Sequence, residues 1–195
     1  MAQGVRAAAD VFADLGAIVE EVEFHPDPPE AIFATFFDYF SARAYQSHGR
    51  FLDDHRSAAL LTDYVHACLS RGKAQSAARH IECLNRMGYY RHYMREYFER
   101  YDLLLTAVTT VPPFPIGELP GDEPPGSDER RWGFFRTHLF NLTGNPAASL
   151  PVGFTSDGRP LAAQLVGDLG DDETVLAASA AFEEARPWRD HWPRQ

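Results

Sequence analysis

The stretch NLTGNPAASLPVGFTSDGRPLAAQLVG, residues 141–167, decides the fold of this chain. It contains two short apolar runs, residues 146–152 and 161–166, on either side of a polar turn in which Asp157 precedes Gly158. Aspartate and glycine tolerate the left-handed backbone that a tight reversal needs. The pattern therefore predicts two adjacent antiparallel strands. Because many side chains in both runs are small, we expect these strands to lie buried inside a larger sheet.

Two segments nearer the N-terminus also have strand patterns. Residues 102–108, DLLLTAV, form a continuous apolar run, and residues 17–22, AIVEEV, alternate enough to form a strand. Residues 4–15 place apolar side chains at helical spacing, and Gly16 follows as a typical helix stop. The order helix, glycine, strand is one half of an α/β unit. We therefore expect an α/β fold in which the four predicted strands form one mixed sheet flanked by helices.

Between these segments lies a helical insert, residues 30–101. Apolar side chains recur along it at i+3 and i+4 steps, which predicts one helix at its start and others over 57–69 and 73–101. Gly49 is predicted to interrupt the first helix, and Gly72 to end the second. A helical insert between two α/β segments is the kind of element that covers a pocket.

The C-terminal part begins with a proline-rich loop, residues 112–127, which is too long to be a tight connection. Residues 128–140 are predicted to be helical. After the strand pair, residues 172–185 are predicted to form a closing helix, with Asp171 or Asp172 as its N-cap.

The composition is that of an ordinary globular protein, with 45% hydrophobic and 13% aromatic residues in 195. A net charge of −10 argues against a general nucleic-acid or anionic-membrane binder. Cys68 and Cys83 form neither a disulfide framework nor a zinc spacing, and the eight histidines include no HExxH motif. No apolar run reaches the roughly 20 residues of a membrane helix. We expect a cytoplasmic protein without a metal or cofactor, and without nucleic-acid or membrane partners.

One region resembles the arginine–aromatic pattern of single-stranded nucleic-acid binders, because residues 71–101 carry seven Lys or Arg interleaved with tyrosines. Several tyrosines fall on the apolar stripe of the helix, however, and three glutamates supply local counter-charge. A packed helix with one solvated face is therefore the favoured interpretation.

Three blocks of the sequence, in order, resemble the C-terminal portion of the amidase signature family. They are residues 101–117, a strand with a proline-rich loop; residues 141–167; and residues 171–188, a closing helix. Ala107 departs from the pattern, since many members have a proline after the strand. The resemblance implies a partial amidase domain over residues 1–195. Its parts are an α/β segment (1–29), the helical insert (30–101), and the strand, loop, hairpin and closing helix (102–195).

Amide hydrolysis in the resembled family uses a serine nucleophile, a second serine and a lysine base. A neutral serine hydroxyl needs a base within hydrogen-bond reach and backbone N–H groups that face the developing oxyanion. The family carries both serines in a Gly/Ser-rich loop, which this sequence lacks. Ser127, directly after Gly126, and Ser156, near Gly158, do not sit in a glycine-rich cradle, and Lys73, its only lysine, stands at a predicted helix start. We therefore expect no catalytic residue in this chain.

By the same resemblance, the residues around the start of the hairpin border the substrate pocket. Phe134, Phe135, Thr137 and Asn145 are the predicted substrate-binding residues. The glutamine-using members have an acidic residue at the position of Phe134. An aromatic ring cannot form an ion pair with an amino-acid ammonium group, so an uncharged or aromatic amide suits this position better. Core packing is the competing interpretation for Phe134.

The sequence thus predicts the pocket-forming C-terminal part of an amidase-family hydrolase of carboxylic amides, without the Ser-Ser-Lys triad and inactive alone. The expected partners are a small-molecule amide substrate and a separate N-terminal amidase polypeptide; a truncated gene is the competing explanation. A hypothesis from another class is a non-catalytic binding or interaction module that reuses the half-fold. If half the fold is missing, apolar side chains on residues 103–108 and 147–152 should be uncovered.

Overall fold

The computed structural model describes residues 2–115 and 134–189, which fold into helices around a small sheet. The helices are α1 (Ala2–Asp14), α2 (Pro29–Asp53), α3 (His55–Ala58), α4 (Asp63–Ala74), α5 (Ala77–Phe98), α6 (His138–Thr143) and α7 (Asp172–Ala185). The strands are β1 (Leu103–Ala107), β2 (Ala147–Phe154) and β3 (Pro160–Gly167).

The three strands form one sheet in the order β1-β3-β2, with β3 antiparallel to both neighbours. Leu165 is in register with Leu105 on one side and with Ala148 on the other. The β2–β3 turn places Gly158 at a φ of 84°, in the left-handed region that favours glycine. The predicted hairpin and the α/β class are therefore confirmed. The described strands are antiparallel throughout, whereas a mixed sheet was predicted.

The prediction of a strand over residues 17–22 is wrong, because this segment pairs with no strand of the described chain. Gly16, at a φ of 96°, follows α1, and residues 17–25 after it have no regular secondary structure. The Tyr101 hydroxyl donates to the Glu20 carboxylate at 3.1 Å, so the segment is tied to the end of the helical insert. A strand exists only with a hydrogen-bonded neighbour. Alternation of side chains alone could not supply that neighbour.

Helices α1 and α7 cover one face of the sheet. The rings of Phe12 of α1 and Phe182 of α7 contact one another at a tilt, with 5.3 Å between their centroids. Both pack against Leu150 and Leu165, which are buried on that face. The backbone N–H of Thr174 donates to the Asp171 carboxylate at 3.3 Å, so the predicted N-cap and bounds of α7 are confirmed.

The helical insert is confirmed as helical, but its glycines do not stop helices as predicted. Helix α2 continues through Gly49, and α4 continues through Gly72. A Cβ on Gly72 would overlap the carbonyl group of Ser41, and one on Gly49 would overlap the Tyr45 ring. These glycines are therefore sites of close packing. At Gly72 the missing side chain lets α4 approach the backbone of α2.

A buried carboxylate joins three helices of the insert. Asp38 of α2 accepts ion-pair contacts at 2.6 Å from Arg71 of α4 and from Arg79 of α5. Both arginines are partly exposed, whereas Asp38 is buried. A buried charge is tolerated only when it is paired. This junction therefore fixes how α4 and α5 lie against α2.

Short helix α6 packs on α2 through a buried histidine. The His138 ring lies 5.1 Å from the Phe33 ring and 4.7 Å from the Phe36 ring. Burial lowers the pKa of His138 from 6.5 to about 4, and Arg136 adds to this, while a hydrogen bond with the Phe135 backbone opposes it. At neutral pH the imidazole is therefore uncharged. Residues 128–133 of the helix predicted over 128–140 lie outside the described residues. Within the described part, residues 134–137 are non-helical and residues 138–140 belong to α6.

The large apolar side chains on residues 103–108 and 147–152 are buried or half-buried, although Ala147 and Pro151 of β2 are exposed. Leu104 and Leu150 of the sheet are buried, and Leu105 packs against the α1–α7 side. Exposed large apolar side chains are spread over the described chain, with Ile18 just after α1 exposed at 94% and Leu60 at 86%. No described helix combines the length and hydropathy of a membrane span.

Substitution of Gly72 by alanine is expected to destabilise the protein by about 3 kcal/mol, near the upper end of overpacking costs. The added methyl group would force α4 away from Ser41. The matched control is Gly88→Ala in α5, where a Cβ meets no atom within 4 Å. That change should stabilise by about 0.5–1 kcal/mol, because it lowers the entropy of the unfolded chain. Urea unfolding of both variants tests this, and equal effects would contradict it.

The buried His138 is expected to make stability pH-dependent. Its pKa is lower in the folded chain, so the unfolded chain binds more protons between pH 6.5 and 4. The part of the unfolding free energy that depends on a neutral His138 is therefore complete above pH 6.5. It is lost, up to about 3 kcal/mol, as the pH falls toward 4.

The measurement is the urea midpoint of the wild-type chain and of His138→Gln across this range. The glutamine variant keeps every carboxylate and lacks the imidazole, so it should lose less stability on acidification. Parallel curves for the two proteins would contradict the prediction.

Candidate functional site

The segment 134–137, which carries most of the predicted site residues, extends the sheet beyond the end of β1. The backbone N–H of Thr110 donates to the Phe134 carbonyl at 2.8 Å, and that of Arg136 donates to the Val108 carbonyl at 2.8 Å. Thr109 and Phe135 form the isolated antiparallel bridge between these bonds. The segment is therefore held by backbone bonds, which leaves its aromatic side chains available for packing.

Aromatic side chains from three separate parts of the chain form a continuous row. Phe134 contacts Phe114 at 5.4 Å and Phe135 at 4.5 Å between ring centroids. Phe135 lies 6.3 Å from His138, which contacts Phe36. The members of this aromatic row are Phe114, Phe134, Phe135, His138, Phe36 and Phe40. The row runs from the proline-rich loop to the surface of α2.

Gln164, on the central strand, fixes the segment that carries Phe134 and Phe135. Its side-chain amide donates to the Ala107 carbonyl and to the Arg136 carbonyl, each at 3.1 Å. Gln164 is buried, so loss of either bond would leave a polar group unsatisfied. Sequence reasoning missed this residue. The available signal was a single amide side chain inside the apolar run PLAAQLV.

His138 was also missed, because eight scattered histidines gave no local signal. Its neutral ring lies between α2 and the segment 134–137 and contacts Phe33, Phe36 and Phe135. His138 therefore connects Phe36 and Phe135 in the aromatic row, and burial disfavours the charged form of its imidazole.

Thr137 and Asn145 lie at opposite ends of α6. Thr137 occupies the N-cap position, although its side chain makes no capping bond. Asn145 is buried, and its amide donates to the Gly167 carbonyl at 2.8 Å. That bond ties the start of β2 to the end of β3. The structure thus brings Phe134, Phe135 and Thr137 together and places Asn145 in a structural bond at the far end of α6.

The aromatic row opens at Phe40 into a cleft of about 300 Å³ between α2 and α6. Apolar and aromatic groups form its floor, and Arg43, His48 and Asn141 stand among its polar lining residues. A second groove, of about 200 Å³, lies between α1, the β2 end of the hairpin and the end of α7. None of the four predicted substrate-binding residues lines either space.

The aromatic row offers ring faces and edges for packing. Within residues 2–115 and 134–189, no group of three or more His, Cys, Asp or Glu is placed to hold a metal ion. Lys73 is exposed and forms a salt bridge with Asp53, whose hydrogen bond raises the pKa of the lysine above 10.5. Ser149, on β2, is in register with Gln164. The aromatic row is suited to packing against flat apolar groups.

Comparison with known proteins gives a consistent result. The Amidase family matches residues 1–176 of the chain. The putative amidase AmiC of Mycobacterium bovis is 32% identical over 190 residues, which are 95% of this chain and 40% of that protein. The 6-aminohexanoate-cyclic-dimer hydrolase of Paenarthrobacter ureafaciens is 27% identical over 208 residues, which cover 96% of this chain and 40% of the hydrolase. The chain therefore spans about two fifths of the length of these relatives.

Solved structures agree on the fold. A bacterial aryl acylamidase of the amidase signature enzymes superposes with a TM-score of 0.80 at 26% identity, over 97% of this chain and 41% of the other. A 6-aminohexanoate cyclic dimer hydrolase complexed with substrate gives a TM-score of 0.70 at 27% identity, over 96% and 41% of the two chains. The arrangement of helices around a small sheet is thus shared with amidase signature enzymes. The chain belongs to the amidase family.

Proposed function

We propose that this chain is the substrate-pocket-forming C-terminal part of an amidase-family hydrolase of carboxylic amides. The Ser-Ser-Lys triad then comes from an N-terminal amidase polypeptide, and the chain is inactive without it. The single observation that carries the proposal is the match of nearly the whole chain to about two fifths of each hydrolase relative. The aromatic row supplies the pocket wall.

The position of Lys73 supports inactivity of the isolated chain. A catalytic lysine must lose its proton to act as a base, which requires a lowered pKa. Asp53 has the opposite effect on Lys73. The lysine is also exposed at the end of α4, in the solvated position that a structural surface residue occupies.

Two of the described serines, Ser41 and Ser149, give the same indication. Ser41 is fully buried, and its hydroxyl lies 3.6 Å from the Cys68 sulfur. Ser149 is exposed on β2, opposite the amide side chain of Gln164, and an amide is not a base. Ser127 lies outside the described residues.

The aromatic row favours an uncharged, flat substrate group. Phe134 is half-buried between Phe114 and Phe135, so a ligand that lies against it meets ring faces and edges. Aromatic pairs at such distances contribute about 0.5–1.5 kcal/mol beyond the area that they bury. One of the similar solved structures is an aryl acylamidase, which fits an aryl or acyl-aryl amide as the proposed substrate class.

The first test is activity. The purified chain is expected not to hydrolyse a panel of aryl and aliphatic amides above background, since wall residues cannot replace an activated nucleophile. Addition of the part of Mycobacterium bovis AmiC that lies outside the match to this chain should create turnover. That turnover should be unchanged by Lys73→Ala and by Ser149→Ala.

Two outcomes would overturn this proposal. One is turnover by the isolated chain that either substitution abolishes, because the chain would then carry its own catalytic group. The other is a stable complex with the AmiC segment that never hydrolyses any amide, which would favour a non-catalytic interaction module.

The second test is specificity in the reconstituted enzyme. Phe134→Asp is expected to lower the ratio of kcat/KM for an aryl acylamide to kcat/KM for glutamine by roughly tenfold or more, because a carboxylate attracts ammonium and is poorly solvated between rings. Phe51→Asp, an exposed site near the end of α2, is the matched control and should leave the ratio unchanged. A ratio that Phe134→Asp does not move would assign Phe134 to core packing alone.

A further inference from the structure

The turn between β2 and β3 carries an arginine whose side chain reaches out of the hairpin. The Nη1 group of Arg159 donates to the Pro113 carbonyl at 2.5 Å, across 46 positions of sequence. Pro113 lies in the described start of the proline-rich loop, after the end of β1. One side chain therefore ties the turn of the hairpin to the beginning of the loop.

The guanidinium of Arg159 is oriented by its own turn. Its Nη2 group forms an ion pair with the Asp157 carboxylate at 2.9 Å, and the Thr155 hydroxyl donates to the same carboxylate. These bonds lower the pKa of the Asp157 carboxyl, Thr155 more than Arg159, so the group is ionised at neutral pH. Both partners of the ion pair are partly exposed, so the pair contributes little to stability. Its effect is to give the guanidinium a fixed direction.

The turn does not need this side chain for its own closure. The Thr155 N–H donates to the Arg159 carbonyl at 2.8 Å, and the Arg159 N–H donates to the Thr155 hydroxyl oxygen at 2.9 Å. Both bonds use the backbone of Arg159, and Gly158 supplies the left-handed residue of the turn. A substitution that removes only the guanidinium therefore leaves the hairpin closed.

The residue after Pro113 is Phe114, the first member of the aromatic row. Its ring meets the Phe134 ring edge to face, at 87° with 5.4 Å between the centroids. Among the described residues, the bond from Arg159 is the one hydrogen bond that residues 112–115 make. Three of these four residues are prolines, whose nitrogens cannot donate, so this part of the loop is held mainly through its carbonyls. The backbone position of Phe114 therefore depends on this bond.

We propose that Arg159 is a positioning residue, which holds Phe114 against Phe134 and thereby makes the pocket wall selective for amides that carry an aryl group. The inference rests on the proposed function, in which the aromatic row forms that wall. Aromatic rings prefer offset or edge-to-face contacts, and a substrate ring gains most from such contacts where the wall rings are already fixed. Fixing them in advance lowers the entropic cost of binding. The effect of Arg159 on the substrate passes through Phe114.

The first measurement tests the positioning in the purified chain, where no activity is needed. Ring protons of Phe114 and Phe134 should show a nuclear Overhauser effect, since their rings are in edge-to-face contact. Arg159→Met keeps an aliphatic stem and removes the guanidinium, so it should abolish most of this effect. Arg6→Met is the matched control, because Arg6 is an exposed arginine in an ion pair with Glu21. The control should leave the effect unchanged.

The second measurement tests selectivity in the chain reconstituted with the part of Mycobacterium bovis AmiC that lies outside the match. The probes are acetanilide and acetamide, which share the acetyl group and differ in the ring. Arg159→Met should lower the ratio of kcat/KM for acetanilide to kcat/KM for acetamide by roughly threefold to tenfold, the size of one aromatic contact. The loss should appear as a higher KM for acetanilide with kcat retained, because the ring contact is made equally in ground and transition states. Arg6→Met should leave the ratio unchanged.

A double-mutant cycle separates an effect through Phe114 from a general loss of structure. Phe114→Ala alone should lower the ratio to a similar extent. Arg159→Met added to Phe114→Ala should lower it no further, because the ring through which Arg159 acts is then absent. Arg159→Lys retains one donor group for the two acceptors of the guanidinium, so it should give an intermediate ratio.

Retention of the Overhauser effect in Arg159→Met overturns the inference, and so does an unchanged ratio in an active mixture. Additive losses in the double variant overturn it too, since Arg159 would then act by a route other than Phe114. The proposed function fails differently, through a mixture that hydrolyses no amide at all. In that case the selectivity of the wall falls with it, and the Overhauser measurement still decides whether Arg159 positions Phe114.

Discussion

The fold depends on the pairing of β3 with both of its neighbours. Adjacent residues of this strand point to opposite faces, so Leu165 packs beneath α1 and α7 while Val166 packs against α5 and α6. The strand thus has one hydrophobic cluster on each of its faces. Gln164, which precedes Leu165 on β3, adds the side-chain bonds that hold the segment 134–137. One strand thus connects the core, the helical insert and the aromatic row.

Local sequence patterns predicted those elements whose partners lie close in the chain. The hairpin and α7 follow from turn and capping residues, and each is stabilised within its own neighbourhood. The segment 17–22 has a strand pattern, but its pairing depends on a distant neighbour that pattern cannot supply. Gly72 looked like a helix stop because its role depends on the backbone of α2, which lies far away in sequence.

The candidate site shows the same limit. The resemblance to amidases singled out Phe134 and Phe135, which do lie together. It did not indicate that Phe36, far away in the insert, continues their row through His138. Buried polar residues such as His138 and Gln164 have no periodicity of their own, since each is positioned by what surrounds it. Their identification needs the tertiary structure.

The close approach of α4 to α2 at Gly72 has a consequence for ligand size. Helices that touch backbone to backbone cannot slide past one another without a clash, and the Asp38 ion pairs oppose their separation. Since α2 also carries Phe36 and Phe40, one wall of the cleft is mechanically stiff. A bulkier ligand must therefore be accommodated by movement of the opposite wall, which the six-residue helix α6 forms. The α2 wall of the cleft is thus fixed, and the α6 wall is the one that can move.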